Sequence, residues 1–218
     1  MLKNLMVLFS LAVVSLAFAE TEKDGPSLDL KFEGPMTIKA GGGEVKIAGP
    51  IVKAPDGKSG LAVGSTQDLP RIPAAEFVGE TGTIMLTFMS QPVKPENSLL
   101  NRSILVLRGD GRERVTFGLP GGVSKSLQFT FRKFTDPKTF ETTTPIEFGR
   151  WYQAVCTWDG LTVKLFLDGV LQTEFQQPYV PKFPAVSTFF YTGPYVDGYT
   201  NPNPWNEDSC LIHQIKVY

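Results

Sequence analysis

The sequence predicts an all-β protein built from two packed antiparallel sheets, and three observations support this prediction. No apolar pattern of helical period follows residue 20, and short segments rich in β-branched and aromatic residues alternate with turn residues. The chain contains 21 Gly and 17 Pro beside 16 Phe, 6 Tyr and 3 Trp, which is typical of many turns around an aromatic interior. About a dozen short strands exceed what one flat sheet accommodates, so two layers are expected.

The first residues predict a signal peptide. Lys3 supplies a positive start, residues 5–18 form an apolar run, and Ala17-Phe18-Ala19 offers small residues at a cleavage site. We therefore expect a signal peptide over residues 1–19 and one mature domain over 20–218, secreted, or periplasmic in a bacterial host. The alternative is a membrane anchor, but the run is shorter than about 20 residues and a polar segment follows it. No later segment is apolar enough to span a bilayer.

The charge balance argues against a nucleic-acid partner. Lys and Arg total 21 against 22 Asp and Glu, for a net charge of −1, whereas phosphate binding needs clustered cations. Arg108, Arg112 and Arg114 surround a predicted hairpin tip. Two interpretations of these three arginines are open: they contact an acidic polymer, or they belong to a turn exposed to solvent. The solvent-exposed turn is the simpler interpretation.

The upstream strands follow from period-two patterns. In residues 82–89, Ile84, Leu86 and Phe88 share one face of a strand. Further strands or hairpins are predicted at residues 28–32, 36–39 with 44–47, 60–64, 104–107 with 115–117, and 127–131.

The clearest local pattern is a three-stranded meander over residues 151–175. Asp159-Gly160 and Asp168-Gly169 separate its strands, and Asp-Gly is typical of type I′ hairpin turns. Both aspartates are interpreted as turn formers. Val163, Leu165 and Leu167 are predicted to face the core. A last strand covers residues 211–218, in which His213 alternates with apolar residues and is expected to face the core as well.

These segments resemble, in order, the LamG-like jelly-roll domains of the concanavalin A-like superfamily. The resemblance rests mainly on residues 149–160 and 163–169, where Trp151 opens a strand and an aromatic residue shortly precedes each Asp-Gly turn. Residues 57–61, 82–88 and 213–218 support it. It covers nearly the whole mature chain. The resemblance implies a two-sheet antiparallel jelly-roll sandwich, and commonly a role in binding glycans or extracellular proteins.

The chain has two cysteines, Cys156 and Cys210. In an oxidising compartment a disulfide between them is the first expectation. Two separate buried thiols are the alternative, because a free cysteine packs well as a small apolar residue. The segment Cys156-Thr157-Trp158 resembles the pentraxins, which have a cysteine in this strand. The partner cysteine of the pentraxins would fall near Met85 in this sequence, so that bridge cannot form here. Two cysteines and one histidine make a poor zinc set.

Catalytic constellations are poorly represented. Glycosidases of this sandwich resemble one another in a Glu-x-Asp-x-Glu run, and neither residues 76–80 nor 206–208 provide it. His213 is the only histidine, so no second histidine is present for lyase chemistry. Its expected position facing the core also makes it a poor base for nucleophile catalysis. We therefore name no catalytic residue.

The segment from Tyr191 to Asp208 is the candidate site. Aromatic faces stack on sugar rings, and amides and carboxylates bond hydroxyl groups; the alternative is a connection whose aromatics cover the end of the sandwich. Long irregular loops are often functional. The candidate ligand-binding residues are Tyr191, Tyr195, Tyr199, Asn201, Asn203 and Trp205. Calcium, which the resemblance also implies, would find oxygen ligands at Asp197, Asn206 and Asp208.

Three functions remain open at this point. The leading hypothesis is a secreted, non-catalytic module that binds a glycan or another extracellular surface component, with calcium as a candidate cofactor. The second is an adhesive or structural protein–protein module. The third is a polysaccharide-cleaving hydrolase or lyase with an unfamiliar site.

Overall fold

A computed structural model of the protein describes residues 25–47, 49–63, 72–75, 77–91, 102–108, 114–119, 125–133, 136–176, 189–191 and 210–218. The predicted signal peptide lies outside these residues. Within them, the chain forms the following strands: β1 (Leu28–Lys31), β2 (Met36–Ala40), β3 (Gly43–Ile47), β4 (Ile51–Lys53), β5 (Ser59–Val63), β6 (Ile72–Pro73), β7 (Thr81–Ser90), β8 (Arg102–Arg108), β9 (Arg114–Leu119), β10 (Gln128–Lys133), β11 (Asp136–Glu141), β12 (Trp151–Asp159), β13 (Thr162–Leu167), β14 (Val170–Gln176), β15 (Phe189–Tyr191) and β16 (Cys210–Val217).

The strands form two main antiparallel sheets. The larger sheet has eight strands in the order β14-β13-β12-β7-β16-β5-β4, with β1 also paired to β16. The smaller sheet has six strands in the order β11-β10-β9-β8-β15-β6, and β2 and β3 form a separate hairpin. Every pairing among these strands is antiparallel, which confirms the all-β jelly-roll sandwich that the sequence predicts.

The core lies between the two sheets and is filled by alternate residues of their facing sides. From the larger sheet, Leu86, Val163 and Leu165 have no exposed surface, and Leu167 is also buried. From the smaller sheet, Phe117 and Phe129 meet edge to face with ring centroids 5.4 Å apart. The inward faces predicted for residues 82–89 and for the meander over residues 151–175 are therefore confirmed.

One hairpin of the meander turns one residue later than expected. Asp159 pairs with Thr162, so Gly160 and Leu161 are the two loop residues and Asp159 ends its strand. Only Gly160 of these has a positive φ, which fits a turn with glycine at its first central position. The second hairpin is as predicted: Asp168 and Gly169 both have positive φ, at 48° and 79°, as a type I′ turn requires.

The last strand contains an irregularity that the sequence pattern did not reveal. The register of β16 against β7 shifts between Ile212 and Gln214, and the extra residue is His213. The prediction that His213 faces the core is wrong: it is half-buried, beside Trp151 on the outer side of the larger sheet. The shift also leaves Leu211 in a separate outer cluster, while Ile212 joins the core.

The predicted Cys156–Cys210 disulfide is corrected by the fold. The two cysteines are both buried and are not joined to each other. Cys156 lies opposite Ile84 on one side of β7, whereas Cys210 lies opposite Ser90 on the other side. Two strand spacings and six residues along β7 separate them, on the order of 20 Å, far beyond the roughly 7 Å between Cα atoms that a disulfide tolerates.

Candidate functional site on the six-stranded sheet

The outward side of the six-stranded sheet, which we call the polar face, is a candidate binding surface. Val115, Phe117 and Phe129 are buried on the inward side, so the residues that alternate with them occupy the outward side. Strand pairing arranges these outward positions in three cross-strand rows. Antiparallel pairing places directly opposed residues close together, so each row brings side chains from several strands to one surface.

The first row is dominated by threonines. The register aligns Thr139, Thr130 and Thr116 across β11, β10 and β9, and continues through Val106 to Tyr191 on β15. The hydroxyl oxygens of Thr130 and Thr139 lie 3.1 Å apart and share a hydrogen bond. Thr139 is exposed and Thr130 is half-buried, so both hydroxyls border solvent on a rigid strand pair.

The second row holds a fixed carboxylate. Glu141 accepts hydrogen bonds from Ser126 Oγ at 2.5 Å and from Gln128 Nε2 at 2.8 Å. These bonds favour the ionised form and lower the pKa of the Glu141 carboxyl. Gln128 pairs with Gly118, which has no side chain and leaves the sheet backbone accessible to a close approach.

The third row consists of arginine positions. Arg132 pairs with Arg114, and Arg114 pairs with Arg108, so three strands contribute one arginine each. Pro137 and Phe189 flank the three arginine positions, and the register continues from Phe189 to Pro73 on β6. The sequence drew attention to Arg108 and Arg114 but not to Arg132, because only the pairing of β9 with β10 brings residue 132 beside residue 114.

Of the predicted ligand-binding residues, Tyr191 alone lies within the described part of the chain. It ends β15 and pairs with Val106 in the threonine row of the polar face. The remaining residues predicted to bind a ligand or calcium lie outside the described residues: Tyr195, Asp197, Tyr199, Asn201, Asn203, Trp205, Asn206 and Asp208.

A second cluster lies on the outer side of the eight-stranded sheet. Trp151, Met89 and Leu211 are aligned across β12, β7 and β16 and form a small apolar group. The Lys58 ammonium lies 5.1 Å from the centre of the Trp151 ring, and the His213 ring meets it edge-on at 5.9 Å. The Trp151 indole N–H is buried and makes no hydrogen bond within the described structure.

His213 is held firmly in this second cluster. Its Nδ1 lies 2.7 Å from the Ser59 carbonyl oxygen, which fixes the ring on the bulge of β16. A side chain added at Gly60 would approach the Trp151 ring to 3.2 Å, so the tryptophan lies directly against the β5 backbone. This close packing gives Trp151 a structural role in joining the strands.

Neither a metal-ligand cluster nor a membrane-spanning helix occurs among the described residues. No group of three or more His, Cys, Asp or Glu side chains there is arranged to hold a metal ion. No helix in that same part of the chain is long and apolar enough to cross a membrane.

The fold and the polar face together define an antiparallel jelly-roll sandwich with an open polar sheet surface. The chain belongs to the concanavalin A-like lectin/glucanases superfamily, whose laminin G family model matches residues 90–218. No curated protein matches the sequence.

Solved structures show the same fold at low sequence identity. The receptor binding domain of botulinum neurotoxin type G matches with a TM-score of 0.57 and 10% identity, over 88% of this chain and 47% of that one. This chain therefore spans about half the length of that protein. The carbohydrate-binding module CBM40 of the Ruminococcus gnavus IT-sialidase, bound to α2,3-sialyllactose, gives a TM-score of 0.51 and 12% identity, over 89% and 92%. The Crh5 transglycosylase in complex with NAG gives 0.52 and 14%, over 89% and 88%.

Proposed function

We propose that the protein is a secreted carbohydrate-binding module and that the polar face is its binding surface. The observation that carries this proposal is the in-register threonine row, with Tyr191 at its end. Threonine hydroxyls both donate and accept hydrogen bonds, as sugar hydroxyls do. Because the threonines belong to adjacent strands of a rigid sheet, little conformational entropy is lost when a ligand binds them.

Two of the structural relatives support a sugar ligand. The CBM40 module and the Crh5 transglycosylase share this fold over nearly their whole lengths, and those structures contain bound sialyllactose and NAG, respectively. Identities of 12% and 14% show the fold alone, so the site itself is argued from the polar face. The predicted signal peptide over residues 1–19 supports export to a compartment where glycans are exposed.

The segment that follows β15 extends the same proposal. It begins directly after Tyr191, which the register places on the polar face. We propose that Tyr195, Tyr199 and Trp205 add stacking surface for a sugar beside the threonine row. Asp197, Asn206 and Asp208 are proposed as oxygen ligands for calcium in this segment, since calcium prefers carboxylate and amide oxygens.

A glycan array probed with residues 20–218 tests the proposal. Thr130→Val and Thr139→Val each remove one hydroxyl from the polar face at nearly constant volume, and Thr37→Val removes an exposed threonine from the separate β2–β3 hairpin. We expect either polar-face variant to weaken binding about fivefold, as expected for one hydrogen bond worth about 1 kcal/mol, and Thr37→Val to leave it unchanged.

The array results test the calcium ligands, the polar face and glycan binding separately. Loss of glycan binding when a chelator is added would support the proposed calcium ligands. Unchanged binding in the presence of the chelator would remove calcium from the proposal. Binding that survives both threonine variants would move the site away from the polar face. Absence of binding to every glycan would overturn the proposed function.

An adhesive protein–protein module is the second candidate function. Val170 and Leu171 are each about half exposed on β14, which is an edge strand of the larger sheet within the described part of the chain. Exposed apolar residues on an unpaired edge are suited to adding a strand from a partner. Leu171→Lys would abolish such an association and leave glycan binding intact, which separates the two functions.

A further inference from the structure

Glu141 carries a charge that the polar face does not need for its own structure. Its two carboxylate oxygens accept hydrogen bonds from Ser126 Oγ and Gln128 Nε2, which are both uncharged groups. Among the described residues Glu141 forms no ion pair. A glutamine at this position would make the same two contacts, because a serine hydroxyl accepts as well as donates. The negative charge is therefore available to a group outside the sheet.

The carboxylate is both exposed and held in a fixed orientation. Glu141 is exposed on β11, while Ser126 and Gln128 beside it are half-buried. Each carboxylate oxygen accepts one of the two hydrogen bonds, so both ends of the group are anchored. An ionised carboxylate has roughly four acceptor positions, so about one position on each oxygen remains for a donor that approaches from solvent.

The neighbouring threonine pair extends this acceptor into a small surface. Thr139 lies two residues from Glu141 on the same side of β11, about 7 Å away. Thr130 and Gln128 lie directly opposite these two residues on β10, about 5 Å across. Thr139 is exposed and Thr130 is half-buried. The four side chains outline an area comparable to one sugar ring, so a single sugar can contact the carboxylate and a threonine hydroxyl together.

We propose that Glu141 binds two adjacent hydroxyl groups of an uncharged sugar and makes the polar face selective for neutral over acidic glycans; this rests on the proposed function. Each sugar hydroxyl donates to one carboxylate oxygen, and hydrogen bonds to a charged group are stronger than those between neutral groups. An ionised carboxylate only accepts, so it gains nothing from a ligand that lacks a free hydroxyl there. A carboxylate or sulfate on the ligand is repelled at this position by the like charge.

The two anchoring bonds support this role. They favour the ionised form and lower the pKa of the Glu141 carboxyl, which keeps the group an acceptor. Because the carboxylate is already oriented before a ligand arrives, little side-chain entropy is lost on binding.

A metal ion is less compatible with the same position. Calcium takes about six to eight oxygen ligands. In the part of the chain that the structure describes, no group of three or more His, Cys, Asp or Glu side chains is arranged to hold one. Sugar hydroxyls need only the acceptors and the threonine hydroxyls that Glu141, Thr130 and Thr139 provide.

The row of arginine positions lies at the other end of the polar face. Arg132 follows Gln128 by four residues on β10, or about 13 Å along the strand. That spacing exceeds the Debye length of about 8 Å at physiological ionic strength. The proposed selectivity therefore belongs to the Glu141 end of the face.

The test uses an array on which each neutral glycan, lactose, cellobiose and mannobiose among them, is printed beside its monodeoxy analogues and its uronic-acid counterpart. The array is probed with residues 20–218 as the natural sequence, as Glu141→Gln and as Glu44→Gln. Glu141→Gln removes the charge at nearly constant shape, and Glu44→Gln removes an exposed carboxylate from the separate β2–β3 hairpin. Circular dichroism melting confirms that each variant is folded.

We expect a neutral glycan to bind about tenfold more tightly than the analogues that lack either of two adjacent hydroxyls, and about tenfold more tightly than its uronic-acid counterpart. Glu141→Gln should weaken binding of the neutral glycan about tenfold and reduce both differences to about threefold or less. Glu44→Gln should leave the affinity and both differences unchanged.

Several results would overturn the inference while leaving the proposed function in place. These are unchanged binding of the neutral glycan by Glu141→Gln, a loss on deoxygenation or a neutral-over-acidic preference that persists in that variant, and binding to acidic glycans alone. An equal loss of binding in Glu44→Gln would also overturn it, since the effect would then come from net charge and not from this position. Absence of all glycan binding overturns both proposals.

Discussion

At the scale of single residues, Asp168 combines three tasks in one turn. Its backbone adopts φ +48°, a left-handed conformation that favours Gly, Asn and Asp. Its Oδ1 accepts a hydrogen bond from the Gln153 backbone N–H at 2.9 Å, and its Oδ2 pairs with Arg150 at 3.0 Å. The acid is therefore explained by turn geometry and strand anchoring, and it needs no ligand.

Two substitutions at Asp168 separate these tasks. Asp168→Asn tolerates the left-handed conformation and keeps an oxygen for Gln153, so we expect it to cost less than about 1 kcal/mol, since an exposed ion pair contributes little. Asp168→Ala loses both features and should cost about 2–3 kcal/mol. Urea unfolding of both variants checks this; equal costs would show that the ion pair, not the turn, provides the stabilisation.

The two cysteines give a chemical prediction. Burial raises the pKa of the Cys156 thiol well above its ordinary value, and Cys210 is 1% exposed, so neither sulfur is available as a reactive thiolate. We expect no labelling by iodoacetamide in native protein, and two labels per chain in denaturant without reductant. Labelling that requires a reductant would mean that a disulfide is present and that the described strand register is wrong.

At the scale of elements, the packing of Trp158 depends on a glycine in the neighbouring strand. Trp158 lies directly opposite Gly82, and its indole N–H donates a hydrogen bond to the Gly79 carbonyl at 2.9 Å. A Cβ at Gly82 would lie 2.6 Å from the indole ring, closer than atoms can pack. Gly82 therefore leaves room for the indole of Trp158, which is the largest fully buried side chain among the described residues.

Gly82→Ala should cost about 1–3 kcal/mol in the free energy of unfolding, because the added methyl group forces the indole out of its position. Gly43→Ala is the matched control: it also lies in a strand, has no positive φ, and its Cβ would meet nothing within 4 Å. We expect the control to be neutral or to stabilise by up to about 1 kcal/mol. Chemical denaturation followed by tryptophan fluorescence distinguishes the two, and equal effects would contradict the packing described.

The elements also show what a sequence can and cannot predict. The meander over β12, β13 and β14 was predictable, because local alternation and a two-residue turn determine each neighbour. The short strands β6 and β15 were not predicted, because Ile72 and Phe190 pair with each other from more than a hundred residues apart. The bulge at His213 was missed as well. A bulge is one extra residue relative to the partner strand, so it becomes visible only when β16 is paired with β7.

The candidate site was less predictable than the fold. Tyr191 was expected to bind sugar as part of a loop, and the structure places it instead at the end of β15. Arg132 was not singled out, because its neighbours Arg114 and Arg108 come from other strands. A binding surface made of one residue per strand leaves no motif in the sequence.

At the scale of the whole molecule, the two sheets meet along one side through an aromatic pair. Phe140 lies on β11, the edge of the six-stranded sheet, and Phe175 lies on β14, the edge of the eight-stranded sheet. Their rings are stacked with centroids 3.7 Å apart and an interplanar angle of 16°. This pair therefore closes the sandwich at an edge where neither sheet has a further strand among the described residues.

A double-mutant cycle measures that closure. Phe140→Ala and Phe175→Ala should each destabilise the protein, and the double variant should lose less than the sum, with a coupling of about 0.5–1.5 kcal/mol for this partly buried aromatic pair. Phe175→Ala combined with Val52→Ala is the control, since β4 lies at the opposite edge of the larger sheet, six strand spacings or about 29 Å away. That pair should be additive. If the Phe140–Phe175 pair is additive too, the sheets are held by the central core alone. The polar face would then depend for its rigidity on residues such as Phe117 and Phe129 and not on its edge.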